Sequence, residues 1–173
     1  MVIAETTRWL ERAVIGLNLC PFAKAVHVKG QIRYAVCLTG SPEHLLAELI
    51  RELQLLVTSD PHVTDTTLLM HPNVFNKFLD YNDFLEIANG TLTELKLDGV
   101  MQIASFHPQY QFADTEPEDI TNFTNRSPYP TLHLLREESV TRAVTAFPEA
   151  SVIFEKNFQT MTALGRSGWK KLG

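Results

Sequence analysis

Residues 105–137 read SFHPQYQFADTEPEDITNFTNRSPYPTLHLLRE, and how this stretch is divided decides the fold. It opens at the end of an apolar, strand-like run, VMQIASF over 100–106. It closes on a run in which Leu132, Leu135, Ser139, Val140, Ala143, Val144 and Phe147 recur at helical spacing. A helix is therefore expected after Pro130. Between the two, residues 108–130 follow no clear period. A connection of that length inside a compact domain is usually functional or disordered. Phe106, Tyr110, Phe112, Phe123 and Tyr129 can anchor it, which argues against disorder. The stretch also holds His107, Asn125, Arg126 and Ser127. We read it as a ligand-binding or active-site loop.

Upstream, residues 31–38 (QIRYAVCL) and 66–70 (TTLLM) have strand character. Residues 4–18 place Trp9, Leu10, Ala13, Val14 and Leu17 on one helical face. Pro21 restarts a short helix, PFAKAV. Ser41 with Pro42 in the first helical position opens a helix to about residue 57. Another helix is expected over 73–88, with Phe75, Phe78, Leu79 and Leu85 as candidate buried positions, and a further turn over 91–97. Thr115 can cap a short helix with Pro117 in its first turn. The helix after Pro130 breaks at Pro148, and a last one over 149–164 closes at Gly165. The expected architecture is α/β: one domain over 1–173, with a small, largely parallel sheet of three or more strands flanked by helices and carrying a long functional loop. Strands joined by helices are usually parallel with right-handed crossovers.

Composition narrows the function. The 173 residues suit a single domain with one substantial core. A net charge of −5 and the absence of a basic stripe argue against nucleic acid as partner. No apolar run approaches the roughly 18 residues a membrane span needs. Two cysteines, Cys20 and Cys37, make no disulfide framework and fit a reducing cytoplasm. No P-loop, Gly-rich dinucleotide loop, His-Glu-x-x-His, nucleophile-elbow serine or Cys-x-x-Cys occurs, so no particular cofactor is implied.

The residues able to do chemistry are few. Two strands end in the same dipeptide, His71-Pro72 and His107-Pro108. Parallel strands would bring both imidazoles to one rim of the sheet, where such folds place ligands. Imidazole titrates near neutrality and suits acid/base catalysis or metal ligation. The structural alternative is that each ring caps a strand end by bonding backbone. Cys20 precedes a helix start, where a thiolate is stabilised. It is a candidate nucleophile, redox thiol or soft metal ligand, or else an inert core residue beside Leu19 and Phe22. Cys20-Pro21 also matches the minimal haem-regulatory dipeptide.

Arg126, between Asn125 and Ser127, has the donor geometry to hold a carboxylate or phosphate. His133 and Arg136, three apart on the expected helix, would share its face near an anion-favouring N-terminus. The alternative for Arg126 is a pairing with Asp114, Glu116, Glu118 or Asp119 that pins the loop. Tyr110 and Tyr129 can contact a ligand or anchor the loop.

LNLCPFA (17–23), the first His-Pro (71–72), SFHPQYQF (105–112) and TNRSPYPTLHLLRE (124–137) together resemble the bacterial family catalogued as domain-of-unknown-function family 1415. The resemblance spans nearly the whole chain and implies a single soluble domain. It supplies no activity and no catalytic residues. The residues themselves favour a small cytoplasmic enzyme acting on an anionic metabolite, with His71 and His107 as acid/base groups, Arg126 as anion clamp and the loop as lid. The alternatives are a metal- or haem-binding protein using Cys20 and the histidines, and an interaction module whose loop docks a partner.

Overall fold

A computed structural model describes residues 1–146 and 152–172. Helix α1 (Val2–Trp9) runs into a wide π-helical segment, Leu10–Ile15, and is followed by the short α2 (Ala23–Val28). Strand β1 (Ile32–Val36), α3 (Pro42–Thr58), β2 (Thr66–Met70), α4 (Phe78–Glu94) and β3 (Met101–Phe106) then alternate. After a 3₁₀ helix, Ile120–Asn125, come β4 (Thr131–Arg136), α5 (Glu137–Ala146) and α6 (Ile153–Lys170). The expected start of the last helix, residues 149–152, falls largely outside the described residues, as does Pro148. At Gly165 the chain leaves helical geometry (φ 62°, ψ 175°), a positive-φ region that glycine tolerates, and helix resumes beyond it.

The sheet order is β1-β2-β4-β3. β1 pairs with β2 in parallel, whereas β4 is antiparallel to both of its neighbours. The sheet is thus mixed, not largely parallel, and the reason is TLHLLR. This segment is a strand rather than the start of a helix. Its burial alternates with period two: Leu132 and Leu134 are fully buried on the face that holds Leu69 and Ile103, and His133 lies on the other, hydrogen-bonded to Thr66. His133 and Arg136 are an odd number apart on a strand. They point to opposite faces instead of sharing a helical one.

Helices cover both faces. Leu45, Leu49, Leu53 and Leu56 of α3 and Tyr81, Phe84 and Ala88 of α4 pack with Ala35, Leu69, Leu132 and Leu134 to form the main core. Leu10, Val14 and Ala23 form a smaller cluster with Ile32 and Tyr34, the alternate residues of β1. Ser41 caps α3 as expected, its hydroxyl accepting from the His44 N–H. α4 starts five residues later than the sequence suggests and runs on to Glu94, taking in the first part of the turn expected over 91–97. Leu79, expected in the core, is 74% exposed because Tyr81, Phe84 and Ala88 define the inner face. The short helix expected behind Thr115 is replaced by the 3₁₀ turn, capped by Asp119 through the Thr121 N–H (2.9 Å). No helix among the described residues is long and apolar enough to cross a membrane.

The π segment has a specific requirement. The Gly16 N–H donates to the Glu11 carbonyl at 3.0 Å, five residues back. A Cβ at Gly16 would lie 2.2 Å from the Arg12 carbonyl oxygen. Gly16→Ala is therefore expected to lower stability by about 1–3 kcal/mol through steric overlap. Urea denaturation measures it, and an unchanged midpoint would mean the wide turn rewinds without cost.

Candidate functional site

β2 and β3 run in the same direction although a reversed strand separates them, so His71 and His107 lie at the same edge of the sheet. Both residues are fully buried. Tyr81 of α4 fits between the imidazoles, its ring centre 5.6 Å from His71 and 5.1 Å from His107. Its hydroxyl donates to the Thr131 carbonyl at 2.8 Å. His107 accepts the Gln109 N–H at Nδ1 (2.9 Å) and donates from Nε2 to the Phe75 carbonyl (3.0 Å). That pattern fixes a neutral ring with the proton on Nε2. His71 donates from Nδ1 to the Val74 carbonyl (3.1 Å), and its buried Nε2 has no partner. Burial drives the His71 pKa down to about 4, with His107 acting in the same direction. Burial lowers His107 as well. Both rings hold the loop Val74–Phe75 to the strand ends, the capping role set against acid/base catalysis above.

The segment after β3 is tied down by its own polar groups. Asn125 donates to the Ser105 carbonyl (3.2 Å), and its backbone carbonyl accepts the His107 N–H (3.1 Å). Ser127 is buried and donates to the Tyr129 carbonyl (2.6 Å). Tyr110 packs between Phe78 and Phe112, each ring centre 5.1 Å away. The Tyr129 hydroxyl donates to the Glu5 carboxylate, a contact that raises the phenol's pKa. Arg126 donates from Nε to the Tyr110 carbonyl (3.2 Å) and from one terminal nitrogen to the Pro117 carbonyl. Its guanidinium lies 4.1 Å over the Phe123 ring. Arg126 thus braces the loop through carbonyls; among the described residues it forms no ion pair with the acidic residues weighed against the anion clamp, although Glu118 attracts it from nearby, and its other terminal nitrogen carries no hydrogen bond.

Arg126 also lines an open groove of about 530 Å³. Residues Pro108, Phe123, Ser127 and Pro128 share its wall. The opposite sides come from the two ends of the chain: Glu5, Arg8 and Trp9 from α1, and Trp169, Lys170 and Leu172 from the end of α6. Neither His71 nor His107 lines this groove. Three cations and one carboxylate therefore meet over aromatic walls. Of the residues expected to bind a ligand, Arg126 and Ser127 are brought to the groove, with Tyr129 behind them through Glu5. Glu5, Arg8, Trp9, Trp169 and Lys170 were not anticipated. The available signal was that each of the chain's two tryptophans adjoins a cation, as Arg8-Trp9 and Trp169-Lys170.

Other candidates lie elsewhere. His133 sits mid-strand, its Nε2 2.8 Å from the Thr66 hydroxyl, and burial lowers its pKa to about 4. Arg136, at the far end of β4, donates to the carbonyls of Leu56 and Ser59 (2.8 Å) at the C-terminus of α3 and to that of Thr64 (3.1 Å) in the loop beyond it. Cys20 packs in the small cluster with Trp9, Ile15, Ile32 and Tyr34. Burial raises its thiol pKa despite the opposing Phe22 and Ala23 N–H groups, the reverse of an activated thiolate. Among the described residues, no three His, Cys, Asp or Glu side chains are placed to hold a metal ion.

No curated protein and no solved structure matches the chain. A family model does match, over residues 1–171, described as a protein of unknown function, DUF1415. With all but its last two residues inside that match, the chain belongs to the DUF1415 family.

Proposed function

We propose that the protein binds a small anionic molecule in the groove between α1, the 108–128 segment and the end of α6. Arg126 is the clamp, held rigid by Phe123 and two backbone carbonyls. Arg8 and Lys170 complete the positive field. The observation that carries this reading is that three cations converge on one concavity while none of them makes an ion pair among the described residues. Three like charges gathered around one carboxylate that is already engaged by Tyr129 repel one another, and an anion relieves them. The volume falls within the range of small-molecule sites. This reading assigns no proton transfer to His71 or His107, which are buried away from the groove and bonded to backbone. The two free thiols support a cytoplasmic setting.

Thermal denaturation in phosphate, sulfate and small dicarboxylates tests the reading. A ligand at about 100 times its Kd adds about 2.7 kcal/mol, which raises Tm by roughly 5–10 °C for a chain of this size. Arg8→Gln with Lys170→Gln should erase most of that rise. Both residues are exposed, so the unliganded Tm should stay within about 2 °C. If no anion stabilises the wild type, or the double variant responds as fully as the wild type, the groove is not an anion site.

A further inference from the structure

We infer that the ligand of this groove is a flat aromatic molecule carrying a doubly charged, phosphate-like head. The inference rests on the anion-binding reading and names the class of molecule it takes. Charge argues for the head. Among the described residues that line the groove, Arg8, Arg126 and Lys170 face one carboxylate, Glu5, which already accepts the Tyr129 hydroxyl, while Glu118 and Arg166 act on Arg126 with opposite signs from outside the lining and offset each other. The surplus is two positive charges, and a dianion neutralises it where a monoanion leaves one over. Among the described residues Arg126 retains a terminal nitrogen with no hydrogen bond, on a guanidinium stacked against Phe123. That nitrogen and the two exposed cations, Arg8 and Lys170, suit a tetrahedral oxyanion with several acceptors.

The walls argue for the body. Both tryptophans of the chain line the groove, and both are only partly buried. Each is braced by another ring: Trp9 meets Phe106 edge-on at 5.4 Å, and Trp169 meets Phe123 edge-on at 5.4 Å. An indole fixed in this way is a preorganised plate, because little side-chain freedom is lost when a ring settles on it. The surface it leaves open is apolar, and a planar ring covering it gains both burial and stacking. Pro108 and Pro128 extend the same apolar lining. An aliphatic dianion would satisfy the cations and leave these surfaces wet.

Intrinsic fluorescence reads this directly, since no tryptophan lies outside the groove. The probes are phenyl phosphate and AMP (ring and head), inorganic phosphate (head alone) and adenosine (ring alone), each titrated into the full chain. Phenyl phosphate or AMP should quench the emission and bind about tenfold more tightly than phosphate. Adenosine should bind weakly. Trp169→Leu should bring the aromatic phosphates down to the affinity of phosphate and leave phosphate within about twofold. Trp9→Phe, which keeps a ring against Phe106, should lower the preference less and guards against a folding defect in the first variant. If phosphate binds as tightly as the aromatic phosphates, and Trp169→Leu changes nothing, the aromatic body is wrong while the anion site stands. If none of the charged probes binds, the anion site fails and the inference with it.

Discussion

Between pH 6.5 and pH 5 the protein should lose roughly 2 kcal/mol of stability through His71 alone. Its pKa in the fold is about 4, set by burial and by the neighbouring His107, against about 6.5 when exposed. Below 6.5 the unfolded chain takes up a proton that the fold refuses. The stabilisation is therefore complete above that value, falls as the pH drops, and is exhausted near 4. The physical obstacle is concrete: a second proton would sit on Nε2, which is buried and has no acceptor. His107 shifts in the same direction, and His133, also pushed down to about 4 by burial, adds a comparable share. Glu43, Glu48 and Asp119 are shifted downward, so their losses begin only at lower pH. Urea denaturation at pH 7, 6 and 5 measures the slope. His71→Asn keeps a donor for the Val74 carbonyl and removes its titration, so it should make the profile shallower by His71's share, leaving the slope that His107 and His133 supply. A stability that is level from pH 7 to 5 in the wild type would contradict the buried neutral ring.

Removing Arg33 should cost about 3 kcal/mol. Glu52 of α3 is completely buried and accepts two hydrogen bonds from Arg33 of β1, at 2.6 and 3.0 Å. Arg51 supplies a third at 2.9 Å. Arg33→Ala leaves a carboxylate out of water with Arg51 as its remaining partner. The double variant Arg33→Ala with Glu52→Leu removes the stranded charge and fills the space, so it should recover most of the loss. The pair orients α3 over the edge strand β1, and the cycle measured by urea denaturation separates that role from simple packing. Equal losses in the single and double variants would mean that the charge is not what matters.

The sequence was most readable where local pattern and tertiary partner agree. TTLLM is a strand at the residues expected, and Ser41-Pro42 starts α3 where expected, because both signals lie within a few residues. TLHLLR was misread because Leu132, Leu135 and Val140 satisfy a helical period while Leu132 and Leu134 satisfy a strand period. A short apolar run fits both. What decides is the open slot between β2 and β3, built from residues about 65 and about 30 positions upstream, which no local period reveals. The shared edge of His71 and His107 was legible because it depends only on β2 and β3 running alike. The groove was half legible. Arg126 and Ser127 stand in a recognisable motif, but Arg8 and Lys170 approach them from opposite ends of the chain, and spacing carries no trace of that.

The position of β4 also bears on biosynthesis. A ribosome that has released residues 1–130 has made β1, β2 and β3, yet β2 and β3 pair only through β4. Until residues 131–136 emerge, two apolar strands present unpaired edges to each other across a missing strand's width. Such edges invite association with other chains. Sheet completion therefore waits until the chain has grown about 25 residues beyond β3, and the nascent chain's exposure lasts as long as that interval.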